Sequence, residues 1–307
     1  MKAIGIEKFG TLNNLKILEI PEPTPTKGRL IVAVQAFSLN PYDLKIIDGS
    51  QLAVRPLSLP LIPGSDVAGI VIDKDSSVTD FNIGDRVVGR SNLGGYAEIA
   101  SVPHLRAAKI PDNVSFETAA SIPNAGVTAF DIVNGALSKA KFNSVLINGV
   151  SGAVGIIAAQ LLRENGKLVS GVLHSTNKHL QSDLNLSETA FYDIPQSLDK
   201  LGKFDLIINT APDTNKINYL NTHLSLNGTI LSTTGISQLS SATELIDFDD
   251  TKYKMNRQAL ESLLSMISNN RLKIPIANQS SFNVLSVIND LKQLEVAHKP
   301  GKFIVTI

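Results

Sequence analysis

The apolar residues of this chain change their rhythm along its length. Over residues 1–103 they come in short alternating runs broken by turn formers, the pattern of antiparallel β structure. Residues 30–37 (LIVAVQAF) and 66–73 (DVAGIVID) are two strand candidates. Pro21, Pro23, Pro25, Gly64, Gly84, Gly94 and Gly95 mark turns between such runs, so this half reads as a small β barrel. Across residues 110–125 a polar turn passes into an alanine-rich helix. Over residues 128–235 strands alternate with helices, as a parallel sheet with crossovers requires. After a first strand near residue 145, residues 167–173, 190–192, 204–209 and 229–233 supply the second to fifth. Helical patterns over 257–268 and 284–294 precede a closing strand at 302–307. The chain shows no internal repeat, low-complexity tract or flexible linker, so the two halves are expected to pack about a cleft.

Residues 145–162 read VLINGVSGAVGIIAAQLL and contain no charge. A short apolar strand runs into Gly149, Gly152 and Gly155, and an apolar helical pattern follows. Such a turn lets backbone approach a phosphate, and the N–H groups and dipole of the helix start favour its negative charge. The expectation is a dinucleotide pyrophosphate at Gly152 to Gly155. A membrane helix fits poorly, because the three glycines, Asn148, Ser151 and Gln160 interrupt the run. A hydrolase elbow fails as well, since Ala153 stands where G-x-S-x-G needs its last glycine. The strict G-x-G-x-x-G pattern is also missed: Val150 occupies the place of the first glycine and Gly149 comes one residue early.

Composition narrows the partners. Twenty-eight basic residues balance twenty-eight acidic ones among 307, with no basic block, so no footprint for nucleic acid or an anionic membrane is visible. A small molecule is the expected partner. Cysteine is absent, which excludes disulfides and thiolate metal sites and points to a reducing compartment. Glu7 and Lys8 fall where a signal peptide would need an apolar region, and the chain reads as cytoplasmic.

In NAD sites of the strand-turn-helix type, an acid about twenty residues past the glycines bonds the ribose 2′-OH. Residues 172–179 (VLHSTNKH) contain no acid and offer Ser175, Asn177, Lys178 and two histidines instead. These groups can donate to a 2′-phosphate, which favours NADP(H), with Lys178 and Ser175 as the main contacts. The alternative for Lys178 is an ordinary solvated lysine.

Several further segments carry a resemblance: MKAI at the start, SLNPYD at 38–43, PGSDVAG at 63–69, GDRV at 84–87, GGYAE at 94–98 and AGVTA at 125–129. In this order and spacing the chain resembles a medium-chain dehydrogenase/reductase of the zinc-independent quinone oxidoreductase (zeta-crystallin-like) branch over essentially its whole length. The resemblance implies an α/β protein with a GroES-like β-barrel catalytic domain, residues 1–121 and 250–307, and an inserted Rossmann doubly wound domain, residues 122–249. It places Thr128, Gly152, Ala153, Val154, Ser175 and Lys178 on the cofactor, and Gly301 and Lys302 in another segment that approaches the dinucleotide. It also sets Asn40, Tyr42 and Asp43 beside the nicotinamide and substrate, and implies a homodimer.

The zinc branch of that superfamily uses Cys and His, whereas here Ser65 and Asp66 replace its His-Glu, and His104, His174, His179, His223 and His298 show no metal-binding spacing. Without a Lewis acid, the acceptors expected are those that delocalise charge themselves, quinones or the C=C bond of an α,β-unsaturated carbonyl. Tyr42 and Asn40 are the candidate catalytic residues. Tyr42 either donates to the developing oxyanion or packs one wall of the pocket. Asp43 is expected to orient a backbone turn, and Tyr96 to be structural. The competing reading is a nicotinamide-binding sensor or scaffold with little turnover, because a fold does not fix its chemistry. Asn148 and Val150 depart from the residues usual around the branch's turn.

Overall fold

In the computed structural model, which describes residues 1–139, 141–211, 218–233, 245–247, 256–296 and 299–307, the two patterning regimes become two large sheets, one mainly antiparallel and one parallel, beside a small two-stranded sheet. Strands β1 (Lys2–Gly5) and β2 (Lys16–Glu19) make an antiparallel pair. The long strand β3 (Arg29–Leu39) leads into helix α1 (Pro41–Ile47), and β4 (Asp66–Lys74), β5 (Arg86–Arg90), β6 (Ile99–Pro103) and β7 (Ala107–Lys109) follow. Helices α2 (Phe116–Ala120) and α3 (Pro123–Lys139) end this part. The alternating N-terminal runs pair antiparallel, as their period of two demands.

The second regime opens with β8 (Ser144–Asn148) and α4 (Ala153–Glu164). It continues through β9 (Leu168–Leu173), α5 (Leu180–Asp183), β10 (Thr189–Phe191), α6 (Pro195–Leu198), β11 (Phe204–Asn209), α7 (Asn218–Thr222), β12 (Leu224–Ser232) and β13 (Leu245–Asp247). The chain then returns through α8 (Asn256–Ser268), β14 (Ile276–Ser281), α9 (Val284–Val296) and β15 (Lys302–Thr306).

By its contacts the chain forms two units, Met1–Val127 with Met255–Ala297 and Lys302–Ile307, and Thr128–Lys254 with His298–Gly301. In the first, β3 is the central strand. Leu30 to Ser38 pair with β4 on one edge, while β6 takes Arg29 to Ala33 and β15 takes Ala36 to Leu39 on the other. That double demand explains why its residues are nearly all buried and largely apolar. Ile4, Val32, Phe37, Phe81, Tyr96, Val287 and Phe303 fill the core around it, and Phe37 stacks on Tyr96 with ring centroids 4.8 Å apart.

In the second unit the sheet runs β10-β9-β8-β11-β12-β13, and every pair is parallel. Counted from β8, this is the order 3-2-1-4-5-6 of a doubly wound nucleotide-binding sheet, whose ligand crevice lies where the order reverses. Here the reversal falls between β8 and β11. Among the described residues no helix is long and apolar enough to cross a membrane.

The misplaced valine of the glycine turn has a steric explanation. Val150 is fully buried and lies over β9, where a Cβ on Gly171 would come within 2.6 Å of Val150 Cγ1. The side chain gained at 150 is accommodated by the side chain missing at 171. Gly171→Ala should therefore cost about 1–3 kcal/mol by overpacking. In a Val150→Ala background that cost should shrink by at least about 1 kcal/mol, because the two sites share one space. Urea unfolding of the two single variants and the double variant measures this, and simple additivity would refute it.

Candidate functional site

Asn148 ends β8 at the switch point, and Gly149 turns the chain with φ of +83°, a conformation that disfavours a side chain. The N–H groups of Gly149 and Val150 both donate to Val172 O, at 3.0 and 3.1 Å. A Cβ at Gly155 would lie 2.6 Å from Gly149 O and 2.7 Å from Val150 Cα, so the helix packs flat on the turn only with glycine there. Gly152 caps α4 with extended backbone and no capping side chain. The first-turn N–H groups of α4, including those of Ala153 and Val154, thus have neither an intrahelical acceptor nor a side-chain cap. Gly301 closes the turn from outside: it bridges Gly152 and donates its N–H to Ser151 O at 3.3 Å. Bare backbone, a helix dipole and space at Gly152 fit a dinucleotide pyrophosphate.

Under the turn lies a polar chain that sequence reading did not foresee. The Tyr219 hydroxyl donates to Asn148 Oδ1 at 2.8 Å, Asn148 Nδ2 to Asn209 Oδ1 at 2.8 Å, and Asn209 Nδ2 to Ser232 Oγ at 3.0 Å. These side chains stand at or beyond the carboxyl ends of β8, β11 and β12. Thr210 Oγ1, beside them, bonds both Asn148 O and Gly149 O at 3.0 Å. Burial pushes the Tyr219 hydroxyl up, so it stays a proton donor. The unfamiliar Asn148 is thus one link of a satisfied network.

Ser175 and Lys178 lie together just past β9. Ser175 opens a short 3-10 segment, and Lys178 caps its end with an exposed side chain and an N–H that bonds Ser175 O at 3.2 Å. Residues 172–179 contain no acid, yet the structure delivers one from the next strand. Asp193, two residues beyond β10, accepts from Ser175 N–H at 2.8 Å and from Ser175 Oγ at 2.5 Å. The Ser175 hydroxyl holds this carboxyl below its usual range. Thr128 lies on α3.

Within the first unit, Asn40, Asp43 and Lys302 belong to one buried cluster. Asn40 ends β3 before α1 and is committed at both ends of its amide: Nδ2 donates to Asp66 Oδ2 at 3.0 Å, and Oδ1 accepts from Lys302 Nζ at 2.6 Å. Lys302, 4% exposed, also donates to Leu39 O at 3.1 Å and stands 3.8 Å from Asp66. Burial lowers its pKa while Asp66 and Asp43 oppose that shift. Its ammonium therefore lies inside this cluster, in the segment that the resemblance brings toward the dinucleotide. Asp66 Oδ2 further accepts from Ser38 Oγ at 3.0 Å and from Asn124 N–H at 3.2 Å, while the buried Oδ1 has no partner among the described residues. Asp43 Oδ2 accepts from Asn40 N–H at 2.9 Å and from the Tyr96 hydroxyl at 2.6 Å. Tyr42 is half-buried against the core, and no hydrogen bond holds its hydroxyl among the described residues. No group of three His, Cys, Asp or Glu side chains able to hold a metal occurs among the described residues.

Burial pushes the Asp43 carboxyl up to about 7, against the hydrogen bonds from Tyr96 and Asn40. In an unfolded chain the group titrates near ~3.9. Between these values the folded state holds a proton that the unfolded state has lost. The associated stability is fully present below the lower value and disappears as pH rises through about 7. Urea unfolding between about pH 5 and 8 should show wild-type stability falling, and Asp43→Asn should flatten that fall by on the order of 2 kcal/mol. Parallel curves would refute the assignment.

A model of the alcohol dehydrogenase GroES-like domain matches residues 26–112. Quinone oxidoreductase of Sus scrofa is 35% identical over 232 residues, covering 72% of this chain and 69% of that protein. Human synaptic vesicle membrane protein VAT-1 homolog-like is 35% identical over 179 residues, and there the match spans 58% of this chain and only 42% of that protein's length. Among solved structures, the Coxiella burnetii quinone oxidoreductase superposes with a TM-score of 0.86 at 26% identity, covering 100% of this chain and 99% of that one. The Escherichia coli quinone oxidoreductase complexed with NADPH shares the fold, with a TM-score of 0.88 at 21% identity over 100% of both chains.

Proposed function

Because the chain belongs to the quinone oxidoreductase branch of the medium-chain dehydrogenase/reductase superfamily, we propose that it is a zinc-independent, NADPH-dependent oxidoreductase acting on quinones or α,β-unsaturated carbonyls. The observation that carries this reading is the bare glycine turn at the switch point of a 3-2-1-4-5-6 parallel sheet. The E. coli enzyme of the same fold is complexed with NADPH. When bound, the reduced nicotinamide supplies a hydride.

The residues around the turn have separate tasks in this reading. Gly152 keeps a side chain away from the pyrophosphate, Gly149 and Gly155 let the turn pack against residues 210–211 and the helix against the turn, and Ala153 and Val154 present N–H groups to the phosphates. Gly301 supports the turn through Ser151. Ser175 and Lys178 are the donors nearest a 2′-phosphate, and Thr128 completes the candidate cofactor contacts. A zinc ion would stabilise charge on the acceptor oxygen, but the donor set speaks against one: there is no cysteine, and the Asp66 carboxylate is held by Ser38, Asn40, Lys302 and the Asn124 N–H. Quinones and enones suit such a protein because they delocalise the charge themselves. Tyr42, with an uncommitted hydroxyl, is the candidate donor to that oxygen. Asn40, bonded at both ends, is a positioning residue that fixes the start of α1 and thereby Tyr42.

Purified protein should oxidise NADPH with members of a quinone and enone panel and leave simple aldehydes unreduced. Oxidation of neither NADPH nor NADH by any acceptor would reject the activity, and tight NADPH binding without turnover would favour a sensor or scaffold. Tyr42→Phe should lower kcat at least about tenfold with an unchanged Kd for NADPH. Wild-type turnover in that variant would remove Tyr42 from the proton path.

A further inference from the structure

The carboxylate at the end of β10 occupies a place of consequence. In a doubly wound sheet the second strand ends beside the adenosine ribose, and the group there decides between a 2′-hydroxyl and a 2′-phosphate. At that end, past β9, Ser175 offers a backbone N–H and a hydroxyl, and both already point at Asp193. His174 adds a third approach: its Nδ1 accepts from Thr176 N–H at 3.3 Å, which leaves the ring proton on Nε2, 3.6 Å from Asp193 Oδ2. The Asp193 side chain is 26% exposed, so a ligand can reach it.

We propose that Asp193 is a specificity-determining residue that restrains the preference for NADPH and lets the chain accept NADH as well. The inference rests on the dinucleotide reading above. A carboxylate has about four acceptor sites, and Ser175 uses two of them. Capacity remains to accept from a ribose 2′-hydroxyl, as the acid of an NAD site does. Toward a 2′-phosphate the same group acts twice in the opposite sense. It engages the Ser175 donors that the phosphate would use, and it sets a negative charge against a second one. Lys178 pulls the other way, so the site holds opposed charges rather than a purely cationic pocket.

The test is a set of dissociation constants for NADPH and NADH, measured by calorimetry without any acceptor present. In Asp193→Asn the ratio of the NADH constant to the NADPH constant should rise about tenfold over wild type, with tighter NADPH and weaker NADH. Asp193→Glu, which keeps the charge, should stay within about threefold of wild type. Adding Ser175→Ala to Asp193→Asn should remove most of the gain, because the released donor is then gone. A ratio in Asp193→Asn within twofold of wild type would overturn the proposal, as would equal changes in both constants, which mark a merely structural role. Wild-type protein that binds neither dinucleotide would instead overturn the dinucleotide reading, and this inference with it.

Discussion

The nucleotide-binding unit depends on keeping two buried amides satisfied where its parallel sheet reverses order. Asn148 and Asn209 end neighbouring strands, and a buried amide left without partners costs about 1–3 kcal/mol per group. They bond each other, then Tyr219 on one side and Ser232 on the other. The loop after β11 is drawn in by the same constraint: Ala211 N–H donates to Asn209 Oδ1 at 3.3 Å, and Thr210 Oγ1 reaches back to the carbonyls of Asn148 and Gly149. That leaves no room beside residue 149, where a Cβ would come within 2.9 Å of Thr210 Oγ1. The glycine is required by its polar neighbours as much as by its positive φ.

Charge does the equivalent work in the barrel unit. Lys302 opens the last strand, and its ammonium reaches the end of β3, 263 residues earlier in the chain. Through Asn40 and Asp66 it ties β15 to β3, α1 and β4 at one point. Removing one member of such a buried set costs about 3–5 kcal/mol, because an uncompensated charge stays behind. The C-terminal strand is therefore fixed by electrostatics as well as by the packing of Phe303 and Val305, and the position of Asn40 depends on it.

Periodicity made the strands and helices legible, because burial on one face or both leaves a direct trace in the order of apolar residues. The helix after the glycine turn, the first five parallel strands, the two helices of the tail and the closing strand fall where that trace puts them, whereas α1, β13 and β14 are too short or too polar to leave one. Side-chain partnership left no such trace. The valine at 150 looked like a flaw in the glycine pattern, since its compensation, Gly171, lies a strand away. Asn209 and Tyr219 were invisible for the same reason: their partner Asn148 is more than sixty residues distant. Asp193 falls outside any fixed spacing from the glycines, because spacing follows the chain, whereas the sheet sets the end of β10 beside the end of β9. Local sequence marks Asp43 and Tyr96 as structural, and they do bond each other, but only burial explains a carboxyl pushed up to about 7.

Two carboxylates with opposite fates connect these observations. Asp43 and Asp193 each accept two hydrogen bonds, one from a backbone N–H and one from a hydroxyl. Hydrogen bonds to the charged form lower a pKa and burial raises it, so the outcome depends on which dominates. Asp43 is 1% exposed, and desolvation outweighs its two donors. Asp193 lies at the surface, where the same pair of donors prevails and the group stays anionic. An acid that gains its proton near neutrality suits the interior, because it limits the charge buried beside Asp66. An acid held anionic at the surface can act on a ligand's charge. Location within the fold, more than residue type or local sequence, thus separates the carboxyl that organises α1 from the one placed to discriminate between dinucleotides.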